Sequence, residues 1–225
     1  MRRNPGSCGR IQTASCSRQP MRFRFSFVAL LIALAPLVHG TSVIPPSFPE
    51  LVGEADAIYR GRVSAIQARR VPHPDGEGSV IKTFVTLVVE RVLKGPERKD
   101  VTLEFLGGTI GDETITVTGM PKFNLGAKEI VFVQKNGAQF CPLVGVMHGR
   151  YRVLRDEATA REHVARDNGA PLTSIADVEL PITTLPAPLR AASAASASAL
   201  ALTPEAFEAS IATEVQRPTP RARTN

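Results

Sequence analysis

The sequence predicts an all-β domain. Three observations carry this. Short segments alternate apolar and polar residues, glycine-containing turns separate them, and no long amphipathic helix interrupts them between residues 57 and 165.

Residues 57–67 alternate for most of their length, as a strand with one buried face does. Residues 70–79 hold Pro72, Pro74, Gly76 and Gly78 and read as a turn-rich loop. Residues 81–93 are rich in β-branched side chains (Thr83, Val85, Thr86, Val88, Val89, Val92) and form a long second strand. Lys94, Gly95 and Pro96 break it. Residues 101–106 alternate again as a third strand, and Gly107, Gly108 and Gly111 mark a loop. Residues 114–118 make a fourth strand, and residues 129–134 a fifth, entered through Leu125 and Gly126. Residues 151–154 and 162–165 add a hairpin around 156–161. Short strands with glycine turns close into a barrel or stack as a sandwich.

The flanks differ. Pro45, Pro46 and Pro49 crowd residues 41–50, which are expected to be extended rather than helical. Residues 171–202 read as a linker rich in Pro, Ala and Ser. At residues 203–215 a short amphipathic helix is expected. Thr203 serves as N-cap, Pro204 opens the first turn, Glu205 favours the helix dipole, and Phe207, Ile211 and Val215 recur every four residues. Its apolar stripe is expected to dock on the domain. Residues 216–225 read as a polar, disordered tail.

The start of the chain reads as an address. Residues 1–20 look like an upstream extension, and residues 21–40 like a signal peptide. Arg22 and Arg24 precede an uncharged apolar run, and a cut is expected between Gly40 and Thr41. The run of about 13 residues is short of the ~20 that a membrane-spanning helix needs. A secreted or periplasmic protein with no membrane span after cleavage is expected. The formal charge of +6 then loses its meaning. Of the 27 Lys and Arg residues, six arginines precede Thr41, so 21 basic residues face 21 acidic ones in the remainder. A neutral chain has no overall field for phosphate backbones, which argues against a nucleic-acid partner. Cys8 and Cys16 also fall before the cut. Cys141 alone remains, so an ordinary apolar core must hold the fold.

Few residues invite chemistry. Cys141 and His148 could form a thiol–imidazole pair, but no third orienting group is identifiable. A buried thiol acting as a small hydrophobe is expected instead. His73 with Asp75 and Glu77 could hold a cation, though Asp75-Gly76 fits a simple bend better. With His163 as the only other His or Cys after the cut, no zinc site is expected. The glycines at 107, 108 and 111 lack the Lys-Ser/Thr ending of a phosphate loop and read as a bend between strands. No catalysis, metal or cofactor is expected.

The segment from Thr41 to Val63 resembles the mature N-terminus of tissue inhibitors of metalloproteinases. Ile44-Pro45-Pro46, Asp56 and Ile58-Tyr59-Arg60 match without a gap when Thr41 comes first. The Lys94-Gly95 connection and residues 129–133 resemble later parts of the same module. The likeness covers roughly residues 41–140. It implies a netrin-type OB-fold: a partly open five-stranded barrel, here extended by a C-terminal hairpin and a terminal helix. It also implies a mode of action. The Thr41 amine and carbonyl would chelate the zinc of a metalloprotease, Ser42 would face its specificity pocket, and Ile44, Pro45 and Pro46 would support the segment. The chain departs from the family at Thr41, Val43 and Gly53, where the family has cysteines. The expected function is binding of an exported protein, with zinc-metalloprotease inhibition as its sharp form. The alternative is a non-inhibitory envelope or extracellular interaction module.

Overall fold

The computed structural model describes residues 44–73, 76, 78–157, 159–182 and 198–217, all within one compact unit that begins at Val43. Its spine is a long antiparallel hairpin, β1 (Ala57–Pro72) and β2 (Ser79–Lys94). β3 (Asp100–Leu106) adds to the far side of β2. β6 (Lys128–Val133), β7 (Arg150–Arg155) and β8 (Glu162–Arg166) add in turn beyond β1. The result is a six-stranded antiparallel sheet, ordered β3-β2-β1-β6-β7-β8. β4 (Gly108–Ile110) and β5 (Glu113–Ile115) make a separate two-stranded sheet. The all-β expectation therefore holds in its coarse form. Among the described residues the two end strands, β3 and β8, are not paired with each other.

The sheet nevertheless curls. The β1–β2 register shifts at Ile58/Tyr59, Arg60/Gly61 and Val63/Ala65, and such bulges bend and twist a hairpin. Gly61 permits the closest approach. A Cβ there would lie 2.5 Å from the Val88 carbonyl oxygen, a contact that only glycine avoids. The strap after β6 then crosses to the free edge of β3. The Leu106 N–H donates to the Phe140 carbonyl (2.8 Å). The Asn136 side chain acts as a surrogate strand, accepting from the Glu104 N–H (3.0 Å) and donating to the Thr102 carbonyl (2.8 Å). Part of an edge open to further strand pairing is thus covered.

β6 explains why there are two cores. Glu129 to Val133 are all buried, so its alternating side chains feed both faces. Ile130 and Phe132 join Ile58, Tyr151, Val153 and Val164 beneath the helices. Val131 and Val133 join Tyr59, Val85, Leu87, Leu103 and Phe105 inside the curl, with Cys141 and Leu143 from the strap.

Two helices close the first face. α1 (Phe48–Glu54) corrects the expectation that residues 41–50 are wholly extended. Pro45 and Pro46 lie outside any helix or strand, but Pro49 sits in the first turn, where its missing N–H costs nothing. Ser47 and Glu50 form a reciprocal capping box, with the Glu50 carboxylate 2.8 Å from the Ser47 N–H. α1 buries Phe48, Leu51 and Val52. α2 (Pro204–Gln216) lies where expected and docks on the sheet through Phe207 and Ile211, while Val215 remains 40% exposed.

Two further expectations change. The strand expected at residues 114–118 stops at Ile115, because Glu113–Ile115 pairs only with Gly108–Ile110. Residues 171–182 are not linker. Leu172 and Val178 are buried, and the Leu172 N–H donates to the Val164 carbonyl (2.9 Å). The Leu202 and Val164 N–H groups complete the set, donating to Leu172 and Leu202 respectively (both 2.8 Å). The residues before and after the Pro/Ala/Ser stretch thus bind each other and the otherwise open edge of β8. The stretch itself, residues 183–197, and the tail from 218 onward lie outside the described residues.

Candidate functional site

Thr41 and Ser42, on which the inhibitor reading turns, lie outside the described residues, as does the proposed signal segment. The residues that would support them are described. Ile44 is 85% exposed, and Pro45 and Pro46 are half-buried. Pro46 lies against Gly145, where an added Cβ would stand 3.3 Å from the Pro46 ring. Gly145 has a left-handed φ of +58°, so a larger residue is excluded there on both counts.

The other residues carrying the resemblance lie at and beyond the C-terminal end of α1. The Asp56 N–H donates to the Val133 carbonyl (2.8 Å), and its carboxylate accepts from the Lys135 N–H (2.7 Å). Ile58 and Tyr59 are buried on opposite faces of β1, and the Tyr59 hydroxyl donates to the Pro96 carbonyl (3.2 Å). The Lys94 ammonium donates to the Val52 and Gly53 carbonyls (2.7 and 3.1 Å), completing the C-terminal end of α1. Gly95 passes so close to Ala57 that an added Cβ would lie 2.8 Å from the alanine methyl. These groups hold both ends of α1, the helix that follows Ile44.

Arg60 departs from that pattern. Its guanidinium is turned to α2, 2.6 Å from the buried carboxylate of Glu208, which also pairs with Arg91 at 2.5 Å. Arg60 thus ties the C-terminal helix to the sheet.

The chemistry-bearing residues fall elsewhere. Cys141 is buried in the curl, and burial pushes its thiol up to about 11 against a hydrogen bond from the Leu143 backbone. A thiol with that pKa is almost wholly protonated at neutral pH and is a poor nucleophile. His148 is buried on a short 3-10 turn, Val146–Gly149. Desolvation, aided by the Arg166 charge, lowers its pKa to about 4, so the imidazole is neutral at pH 7. The two side chains share no hydrogen bond. The Gly76 N–H donates to the His73 carbonyl at 3.0 Å, closing the turn between β1 and β2, while Asp75 and Glu77 lie outside the described residues. Among the described residues no three His, Cys, Asp or Glu side chains cluster as metal ligands. Gly107 and Gly108 have φ of +96° and +141°, and their backbone lies against Ile115 and Thr83. They therefore make a crowded bend, which forms part of the wall of a cavity of about 470 Å³.

Sequence reasoning missed the most demanding polar group. Glu129 is fully buried, and both its oxygens accept from Arg150 (Nη2 2.6 Å, Nε 3.1 Å). Arg150 also donates to Asp167 (2.8 Å) and stacks on the Phe123 ring at 4.4 Å. The signal was present: one acid heads an otherwise apolar run through residue 133.

No helix among the described residues is long and apolar enough to cross a membrane. No protein-family model matches the chain, and no curated protein matches it either.

Proposed function

We propose that the protein is an exported binding module that acts through its N-terminal segment, with inhibition of a zinc metalloprotease as the specific activity. The observation that carries this reading is the anchoring of the helix behind the segment. Pro46 on Gly145, α1 with its capping box, Asp56 on Lys135 and Lys94 on the end of α1 hold the residues that directly follow Ile44. In the inhibitor family, disulfides hold this region. Here Gly53 sits in α1 with open space around its Cα, and the buried Phe48, Leu51 and Val52 supply the anchoring instead. The curl of β3-β2-β1-β6, bridged by residues 134–143, supports the finer reading of a partly open OB-like barrel.

The chemistry asks little of side chains. A free α-amine has a pKa of about 7.7–8.0, so a sizeable neutral fraction exists at physiological pH. Its lone pair and the adjacent carbonyl oxygen would complete the coordination of a catalytic zinc in place of water. Burial of the Cys141 thiol is in keeping with binding rather than catalysis.

The test compares protein beginning at Thr41 with protein carrying one additional alanine before it, against a panel of zinc metalloproteases. The expected result is inhibition by the first and at least a hundredfold loss with the second, because the extension moves the amine off the metal. Equal inhibition by both would refute chelation. Failure of the Thr41 form against every protease would refute the inhibitor reading.

A further inference from the structure

The cavity of about 470 Å³ beside the Gly107–Gly108 bend lies between the sheet and the strap of residues 115–124. Its sheet wall follows from register. Ile66 on β1 pairs with Val85 on β2, and Thr83 on β2 pairs with Phe105 on β3. Paired residues share a face, and Val85 and Phe105 belong to the core inside the curl, so all four side chains point that way. Ile115, Val117 and Met120 of the strap line the other side. The strap is fixed at two places. At one end the Gly107 backbone packs on Ile115, where an added Cβ would lie 2.6 Å from the Ile115 carbonyl oxygen. At the other the Phe123 ring meets Phe105, with centroids 5.3 Å apart. Between them, among the described residues, no backbone group of residues 116–122 hydrogen-bonds to the sheet. The strap therefore stands off the sheet and leaves a gap. Ile66 records the opening: Val85 beside it is 1% exposed, yet Ile66 is 36% exposed on the same inner face. One charge meets this apolar space. Lys122 is exposed, is the only ionisable residue among those that line the cavity, and makes no ion pair or hydrogen bond among the described residues.

We propose that the cavity binds a free medium-chain carboxylic acid, its hydrocarbon chain between sheet and strap and its carboxylate at Lys122. Size, wall chemistry and charge each narrow the class. A cavity of about 150 Å³ holds benzene, so this one has room for a chain of about ten carbons. Aliphatic and aromatic walls favour a body that gains by leaving water. A single cation with no acid lining the cavity beside it favours one negative head group and disfavours a positive one. A lysine with no internal partner gives up no bond in accepting that head. The inference goes beyond the inhibitor reading and does not rest on it, because no residue before Ile66 lines the cavity.

The test is calorimetric titration of the full chain with decanoate, decanol and decylamine, each kept below its micelle-forming concentration. Saturable binding of one decanoate per chain is expected, with decanol weaker and decylamine weakest. Lys122→Glu should weaken decanoate about fivefold at low salt and leave decanol unchanged. Ile66→Trp places an indole in the mouth at a partly exposed strand position. It should weaken both decanoate and decanol about tenfold by taking up apolar volume that the chain would fill, at an unchanged melting temperature of the free protein. Val88→Trp, at an exposed β2 position that does not line the cavity, should leave all three affinities unchanged. Absence of saturable decanoate binding would overturn the proposal. So would decanol binding as tightly as decanoate, or equal losses for the Ile66 and Val88 variants.

Discussion

Replacing Phe207 with alanine is expected to destabilise the protein by about 3–5 kcal/mol. Phe207 is fully buried and lies at the centre of an aromatic cluster, with ring centroids 4.8 Å from Tyr151, 6.0 Å from Phe48 and 6.2 Å from Phe132. These partners come from β7, α1 and β6, so one ring joins both helices to the sheet. Truncation leaves a cavity that none of the three can fill without giving up its own contacts. α2 cannot compensate, because a helix of 13 residues is marginal in water without its packed face. The loss should appear as a lower urea midpoint. If α2 undocks before the rest unfolds, the denaturant slope should fall too, since less surface remains to be exposed. A change within 1 kcal/mol would mean that α2 is not part of the core.

Replacing Arg150 with methionine is expected to cost a similar amount, about 3–5 kcal/mol, by a different route. Glu129 would keep its full burial and lose both hydrogen bonds. Burial already pushes the Glu129 carboxyl above the usual carboxylate range, against the opposing pull of Arg150. Without Arg150 the burial effect is opposed only by the more distant charge of Arg152, and the folded protein binds a proton more tightly than the unfolded chain. Stability of the variant should therefore be greatest at low pH and should fall as pH rises through the raised pKa. The deficit against wild type should be smaller at pH 5 than at pH 8. The double variant Glu129→Met/Arg150→Met removes the stranded charge and should recover most of the loss. Urea titrations of the three proteins at both pH values check this. A pH-independent deficit, or no rescue by the double variant, would show that the pair acts through shape rather than charge.

The contrast between these sites shows what could be read in advance. Strand positions were legible because period-two alternation survives wherever one face is covered, as at Gly61, Arg62, Val63 and Ser64. It was less legible in β6, where a run buried on both faces has no alternation to show and Glu129 looks like a strand-end acid. α1 was hidden by its prolines, although Ser47 and Glu50 stand at capping-box spacing. Proline count alone cannot distinguish a helix start from an extended strap. Residues 171–182 were misjudged for a related reason. Leu172 and Val178 are isolated apolar residues in polar sequence, and only the Val164–Leu172–Leu202 backbone bonds show that they are held. Arg60 is part of the Ile58-Tyr59-Arg60 element that carries the resemblance, which assigns it no role; the fold uses it to hold Glu208.

The functional account rests on a free amine at Thr41, ahead of the fixed base at Pro46. Edman sequencing, or intact-mass analysis, of the protein recovered after export tests this most directly. The account predicts an unmodified N-terminus of Thr41-Ser42-Val43. A mature chain that begins elsewhere, or that carries a blocked Thr41, would contradict it.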